Sequence, residues 1–171
     1  MTPRIAATVT LAFLSAAAFA LKPDANALRV HQTLTARCVR VTDGDTFWLE
    51  VPGKAAHKIR LHGADAPETK SNRWPEQPGC YAAQDWLTKA IEGKEVTITV
   101  KGKSYDRWVC KVEFKGRDLS IEMIELGLCH ADARYATAAQ KLAEVDAKAK
   151  KLGVWKDGKA VTPADWRKGI R

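Results

Sequence analysis

LTARCVRVTDGDTFWLEVPGKAAHKIRLH, residues Leu34–His62, is the stretch that decides the fold. Leu34–Thr42 is rich in β-branched residues, and Val39 and Val41 alternate with Arg40 and Thr42, the period of a strand. Asp43-Gly44 is a hairpin turn signal. Thr46–Val51 reads as the returning strand, ended by Pro52-Gly53. His57–His62 alternates Ile59 and Leu61 against Arg60 and His62. Three strands joined by short turns make a meander.

Beyond it, Gly63–Gly79 has no period and contains Pro67, Pro75 and Pro78. A loop of that length in a compact domain is often functional. Tyr81–Ile91 is predicted as a helix, with Trp86, Leu87 and Ile91 at helical spacing and a stop near Gly93. Glu95–Val100 and Trp108–Phe114 read as a fourth and fifth strand, joined through Gly102–Asp106. After a turn at Lys115–Asp118, Ser120–Leu126 reads as a short helix capped by Ser120. Thr137–Leu152 reads as a longer one, with Leu142, Val145 and Leu152 as its apolar stripe and Gly153 at its end. The predicted class is α+β and β-rich: five antiparallel strands in an OB-type barrel, with three helices, one of them inserted between the third and fourth strands.

Composition bounds the rest. The chain has 171 residues, 46% hydrophobic and 28% charged, which excludes a disordered or low-complexity protein and suits one domain. Residues 1–20 read as a secretory signal: Arg4, an apolar run from Ile5, and Ala18-Phe19-Ala20 as the cleavage site. Export would place the mature chain, from Leu21, in the periplasm or outside the cell, with no membrane attachment after cleavage. Residues 21–35 read as a lead-in, 36–155 as the domain and 156–171 as a basic tail. From Lys148 to Arg171 there are 8 basic and 2 acidic residues, while Leu21–Ala147 is nearly balanced, so the protein is not a uniform nucleic-acid coat.

Oxidising conditions after export favour disulfides among the 4 cysteines, which allow three connectivities. Cys110 shares a face with Val112 and Phe114, and Cys129 closes the apolar segment Ile121–Leu128. The pairing chosen is Cys110–Cys129 with Cys38–Cys80. No C-x-x-C spacing points to a zinc site.

The chemistry-bearing residues cluster at the ends of the predicted strands. Asp45 follows the first hairpin, and Asp65 and Glu68 bracket Pro67 in the irregular loop after Arg60. Each residue alone reads as an ordinary turn or surface ion pair. As a set they offer carboxylate oxygens for a hard cation, a guanidinium for phosphate oxygens and a carboxylate for an attacking water. Tyr105-Asp106-Arg107 adds a second arginine able to hold phosphate through paired hydrogen bonds, and a tyrosine able to stack on a base or sugar.

Val41–Thr46, Arg60–Thr69 and Tyr105-Asp106-Arg107 resemble, in order and spacing, the motifs of the staphylococcal-nuclease-like (thermonuclease) family. Ala138–Trp155, ending Leu152-Gly153-Val154-Trp155, resembles that family's last helix, so the likeness runs from about Arg37 to Trp155. The resemblance implies an OB-fold enzyme, acting as a monomer, that cleaves phosphodiester bonds of DNA or RNA, as an endonuclease, with Ca²⁺. It implies Asp45, Asp65 and the Ala66 carbonyl as metal ligands, and Glu68 as the group that orients or deprotonates water. Arg60 and Arg107 would clamp the transition state, and Tyr105 would contact the substrate phosphate. Three positions depart from the pattern: Ala66 replaces a threonine, Asp106 a frequent glycine, and Ala133 a stacking aromatic, with Tyr135 nearby. The competing reading is a non-catalytic OB-fold module that binds nucleic acid or another polyanion. Such a module would lack at least one of Asp45, Arg60, Asp65, Glu68 and Arg107, and all are present. A histidine-based nuclease using His62 or His130 has no accompanying motif.

Overall fold

The computed structural model describes residues 28–53 and 55–171. The expected signal segment and residues 21–27 of the lead-in lie outside the described residues. The strands are β1 (Thr33–Val41), β2 (Thr46–Glu50), β3 (His57–Leu61), β4 (Ala64–Asp65), β5 (Glu95–Ser104), β6 (Arg107–Phe114), β7 (Arg117–Asp118) and β8 (His130–Ala131). The helices are α1 (Cys80–Ile91), α2 (Leu119–Glu125), α3 (Ala138–Ala149) and α4 (Pro163–Arg167), with a 3₁₀ turn at Gly153–Trp155. The sheet runs β3-β2-β1-β5-β6, and β3 pairs with β6 to close the five-stranded barrel. The OB-type α+β class read from the sequence is therefore the observed one. The all-antiparallel expectation needs one correction: β3 and β6 run parallel, with Ile59 opposite Trp108 and Leu61 opposite Cys110. A parallel pair needs a long crossover, and α1 with β5 supplies it.

Period-2 burial fills the interior with Phe47, Leu49, Ile59, Leu61, Val96, Ile98, Val100, Cys110 and Val112, all at 1% exposure or less. Each large apolar side chain so buried contributes roughly 1.5–3 kcal/mol. Ala83, Leu87 and Ile91 of α1 and Leu119, Met123 and Ile124 of α2 pack onto this core. In β1 the alternation slips. A register shift between Cys38 and Arg40 turns Val39 outward while Cys38 and Val41 stay buried, so Val39 and Val41 do not share a face.

Two helix details differ from the sequence reading. Asp118, not Ser120, caps α2: its Oδ1 accepts the N–H groups of Ser120 and Ile121 at 2.9 and 3.4 Å. On α3 the presumed stripe is largely exposed, Leu142 by 62% and Val145 by 59%. The buried face is Gln140, Ala143 and Ala147, and its two alanines let the helix lie close to α2. Thr137 and Gln140 form a capping box, and Gln140 Nε2 donates to the His62 carbonyl.

The disulfide pairing is also corrected: Cys38, Cys80, Cys110 and Cys129 are all free thiols, and all buried. Cys38 exchanges backbone hydrogen bonds with Gly93 and Lys94, just past the end of α1, whereas Cys80 begins that helix. At 1.5 Å per residue the two are separated by roughly the helix length, about 16 Å, far beyond the ~7 Å Cα limit for a bridge. Cys129 Sγ faces the Gly44 carbonyl at 4.0 Å, and Cys110 lies inside the barrel wall. Burial pushes the Cys38 thiol up to about 11 and the Cys110 thiol up to about 12, and raises Cys129 and Cys80 as well. All four thiols should ignore Ellman's reagent in the folded protein and react in denaturant. Fewer than four released thiols in denaturant would reinstate a disulfide.

The segment read as a basic tail is docked on the body. Gln77 Nε2 donates to the Val161 carbonyl at 2.7 Å, and the indole N–H of the buried Trp166 donates to the Pro75 carbonyl at 2.9 Å. Thr162 caps α4 through Asp165 N–H, with Pro163 at its first turn. Among the described residues no helix is long and apolar enough to cross a membrane.

Candidate active site

Asp45, Arg60, Asp65 and Arg107 gather around the turn between β1 and β2. The β1–β2 turn carries Asp43 and Asp45, and Thr46 sits directly across from Arg60 on β3. Leu61 N–H bonds to the Asp45 carbonyl at 2.9 Å, tying turn to strand. β4 lies alongside β8, with Asp65 opposite His130. Gly44 is required here by space rather than by backbone angle. A Cβ on it would lie 2.7 Å from both Ala66 Cβ and Ala83 Cβ, so only glycine lets the turn sit on α1 and the loop after β4. Gly44→Ala should destabilise the fold by about 1–3 kcal/mol through overpacking and displace Asp45, lowering melting temperature and activity together. A variant with unchanged melt and turnover would refute the packing argument.

The centre is a buried ion cluster. Asp45 and Asp65 are 3% and 6% exposed. Arg60 forks onto Asp45, Nη1 to Oδ1 at 3.0 Å and Nη2 to Oδ2 at 2.8 Å, and the same Nη2 reaches Asp65 Oδ1 at 2.5 Å. Burial works against the Arg60 charge, but Asp45 and Asp65 more than offset it and hold the guanidinium protonated. Thr46 Oγ1 donates to Asp45 Oδ1 at 2.8 Å, and Ala66 N–H donates to Asp45 Oδ2 at 3.1 Å. Asp43 Oδ1 accepts Asp45 N–H at 3.0 Å. Burial, and then the Asp45 charge, push the Asp43 carboxyl up to about 7.

Around this centre, Arg107 Nη1 donates to Thr46 Oγ1 at 3.3 Å, which places the second predicted arginine over the same turn. Tyr105 is 92% exposed at the β5–β6 turn. Asp106 faces Lys58 at 3.2 Å, which lowers its carboxyl below the usual range, so its charge is matched by that lysine. Ala133 is exposed, and Arg134 stacks over the exposed Tyr135 ring at 5.3 Å. Glu68 is raised by burial, against the pull of a neighbouring arginine.

That arginine is Arg167 of α4, which sequence reasoning missed. Its Nη2 lies 3.2 Å from Asp65 Oδ2, and its Nη1 contacts Asp65 Oδ1 at 3.4 Å and Glu68 Oε1. Gln77, 4% exposed, was missed too: its Oε1 accepts Glu68 N–H at 3.1 Å and its N–H donates to the Glu68 carbonyl at 2.8 Å. The sequence did hold a signal for Arg167. Thr162-Pro163 is a helix start, and Trp166 is a large apolar residue in a supposedly solvated tail.

The donor set suits a hard divalent cation. Its side-chain donors are all oxygens, and Asp45 and Asp65 already converge on one cationic nitrogen. Among the described residues no group of three or more His, Cys, Asp or Glu is arranged to hold a metal. Asp45 and Asp65 would hold the ion, with the Ala66 carbonyl.

A closed OB barrel carrying carboxylates and arginines at one end defines the class, a nuclease of the hydrolase type. Residues 58–157 match the family model described as Staphylococcal nuclease homologue. The chain is 31% identical over 136 residues to a Haemophilus influenzae protein named "Uncharacterized endonuclease", covering 78% of this chain and 73% of that one. It is 34% identical over 175 residues to the Colletotrichum graminicola "Probable endonuclease LCL3", covering 83% of this chain and 63% of that one. A Candida albicans protein of the same name is 34% identical over 123 residues, covering 64% and 52%. The chain thus spans only part of these fungal relatives. It belongs to the staphylococcal nuclease homologue family.

Proposed function

We propose that this protein is an exported, Ca²⁺-dependent endonuclease that hydrolyses phosphodiester bonds of DNA or RNA as a monomer. The observation that carries the reading is the convergence of Asp45, Asp65, Arg60 and Glu68 at one end of a closed barrel, with Arg107 alongside. Export rests on Ala18-Phe19-Ala20 and is checked by the N-terminus of the secreted protein.

When bound, the cation supplies Lewis-acid stabilisation of charge on the phosphoryl oxygens. The protein's own groups do the rest. Glu68, its backbone fixed on both sides by Gln77, accepts the proton of the attacking water. Arg60 and Arg107 donate to the phosphate oxygens as negative charge builds on them. Tyr105 stands exposed at the rim, where the substrate strand would pass. A phosphodiester is a poor electrophile, and this division of labour answers each of its difficulties separately.

The test is incubation of the mature protein with single-stranded and duplex DNA and RNA, with Ca²⁺ and with excess chelator. Cleavage should require the cation. Undiminished cleavage by a metal-stripped sample in chelator would overturn the metal reading. Binding without cleavage under every condition would favour the non-catalytic module.

A further inference from the structure

We propose that Arg167 is an internal counter-cation, competing with the divalent ion for Asp65 and Glu68, so that the C-terminal segment must lift for the site to load. The inference rests on the metal reading above and adds the element that opposes it.

The donors of Arg167 are directed at carboxylates. One nitrogen faces Asp65 Oδ2, and the other faces Asp65 Oδ1 and Glu68 Oε1. These are oxygens that an ion and an attacking water would need. A guanidinium held on two carboxylates satisfies the charge that would otherwise draw in a cation.

The segment is built to hold Arg167 there, and also to release it. Besides Arg167, its hydrogen bonds to the body run from Gln77 to Val161 and from Trp166 to Pro75. α4 has only 5 residues, too short to persist alone. A pocket of about 460 Å³ lies between the segment and the body, lined in part by Leu128, Val154, Val161 and Trp166. Gln77 joins the two sites: the residue that grips Val161 also holds the Glu68 backbone from both sides. Release of the segment is therefore felt at the base.

Calorimetric titration of Ca²⁺ alone, without nucleic acid, tests the proposal on the parent, Arg167→Ala, Arg167→Lys and Asp65→Asn. If the closed form occupies about nine-tenths of molecules, removing the competitor tightens apparent affinity by about tenfold. Arg167→Ala should show that gain, Arg167→Lys a smaller one because it lacks the fork, and Asp65→Asn should bind weakly. Thermal melts guard against misfolding. Hydrogen exchange of residues 159–171 in the parent provides a second reading, and it should rise when Ca²⁺ is added. Equal Ca²⁺ affinity in the parent and Arg167→Ala, or exchange unchanged by Ca²⁺, overturns the counter-cation role and leaves the metal reading standing. No Ca²⁺ binding by any of the four proteins overturns the metal reading and this inference with it.

Discussion

Glu68→Gln should lower turnover by about 10²–10⁴-fold, the usual cost of losing a general base. It should move the melting temperature little. The amide has the shape of the carboxylate and can still accept from Arg167, and Gln77 holds position 68 through its backbone rather than its side chain. What is lost is the negative charge that orients water and takes its proton. Substrate affinity, measured as KM or by binding of an uncleavable oligonucleotide, should therefore stay near the parental value while kcat falls. Loss of binding with kcat preserved would mean that Glu68 positions the loop rather than the water. Near-parental kcat with Ca²⁺ would make the carboxylate a relic and return the binding-module reading.

The barrel was legible because its strands bury one face each, and period-2 alternation writes that directly into Thr46–Val51, His57–His62 and Glu95–Val100. It failed where local geometry broke the period. The irregularity in β1 turned Val39 outward, and no residue type in Ala36–Val41 announces it. On α3 the larger residues, Leu142 and Val145, were read as the core face. The close approach to α2 instead favoured Ala143 and Ala147. The cysteine pairing failed because it weighed compartment and parity, whereas the length of α1 already separates Cys38 from Cys80.

The site was legible to the extent that its residues lie on or beside strands that the meander aligns. Asp45, Arg60 and Asp65 are near in sequence and in space. Arg167 stands 102 positions from Asp65, and the docking of Val161 on Gln77 and of Trp166 on Pro75 carries it there. Charge counting saw a basic tail and assigned it long-range attraction. The structure turns one of those charges inward, which changes what the segment can do.

Arg60→Ala should be the most damaging single substitution, because two functions fall together. On the proposed function, Arg60 is a transition-state clamp whose removal costs roughly 10²–10³-fold in turnover. In the structure it is also the shared counter-ion of Asp45 and Asp65, with its side chain only 17% exposed. Removing it strips Asp45 of its cationic partner and leaves Asp65 with Arg167 alone, and breaking a buried pair from one side costs about 3–5 kcal/mol. For a domain of this size each kcal/mol lowers the melting temperature by about 2–4 °C, so a fall of roughly 10 °C should accompany the loss of activity. Arg60→Lys separates the two functions. A lysine restores a positive charge, and with it part of the melt, but a single ammonium cannot reproduce the fork onto Asp45 while also reaching Asp65. Stability should recover further than turnover. Equal recovery of both would mean that charge alone matters at this position. An Arg60→Ala protein that melts like the parent would show that Asp45 and Asp65 find other partners, and the ion cluster would lose its place as the structural centre of the site.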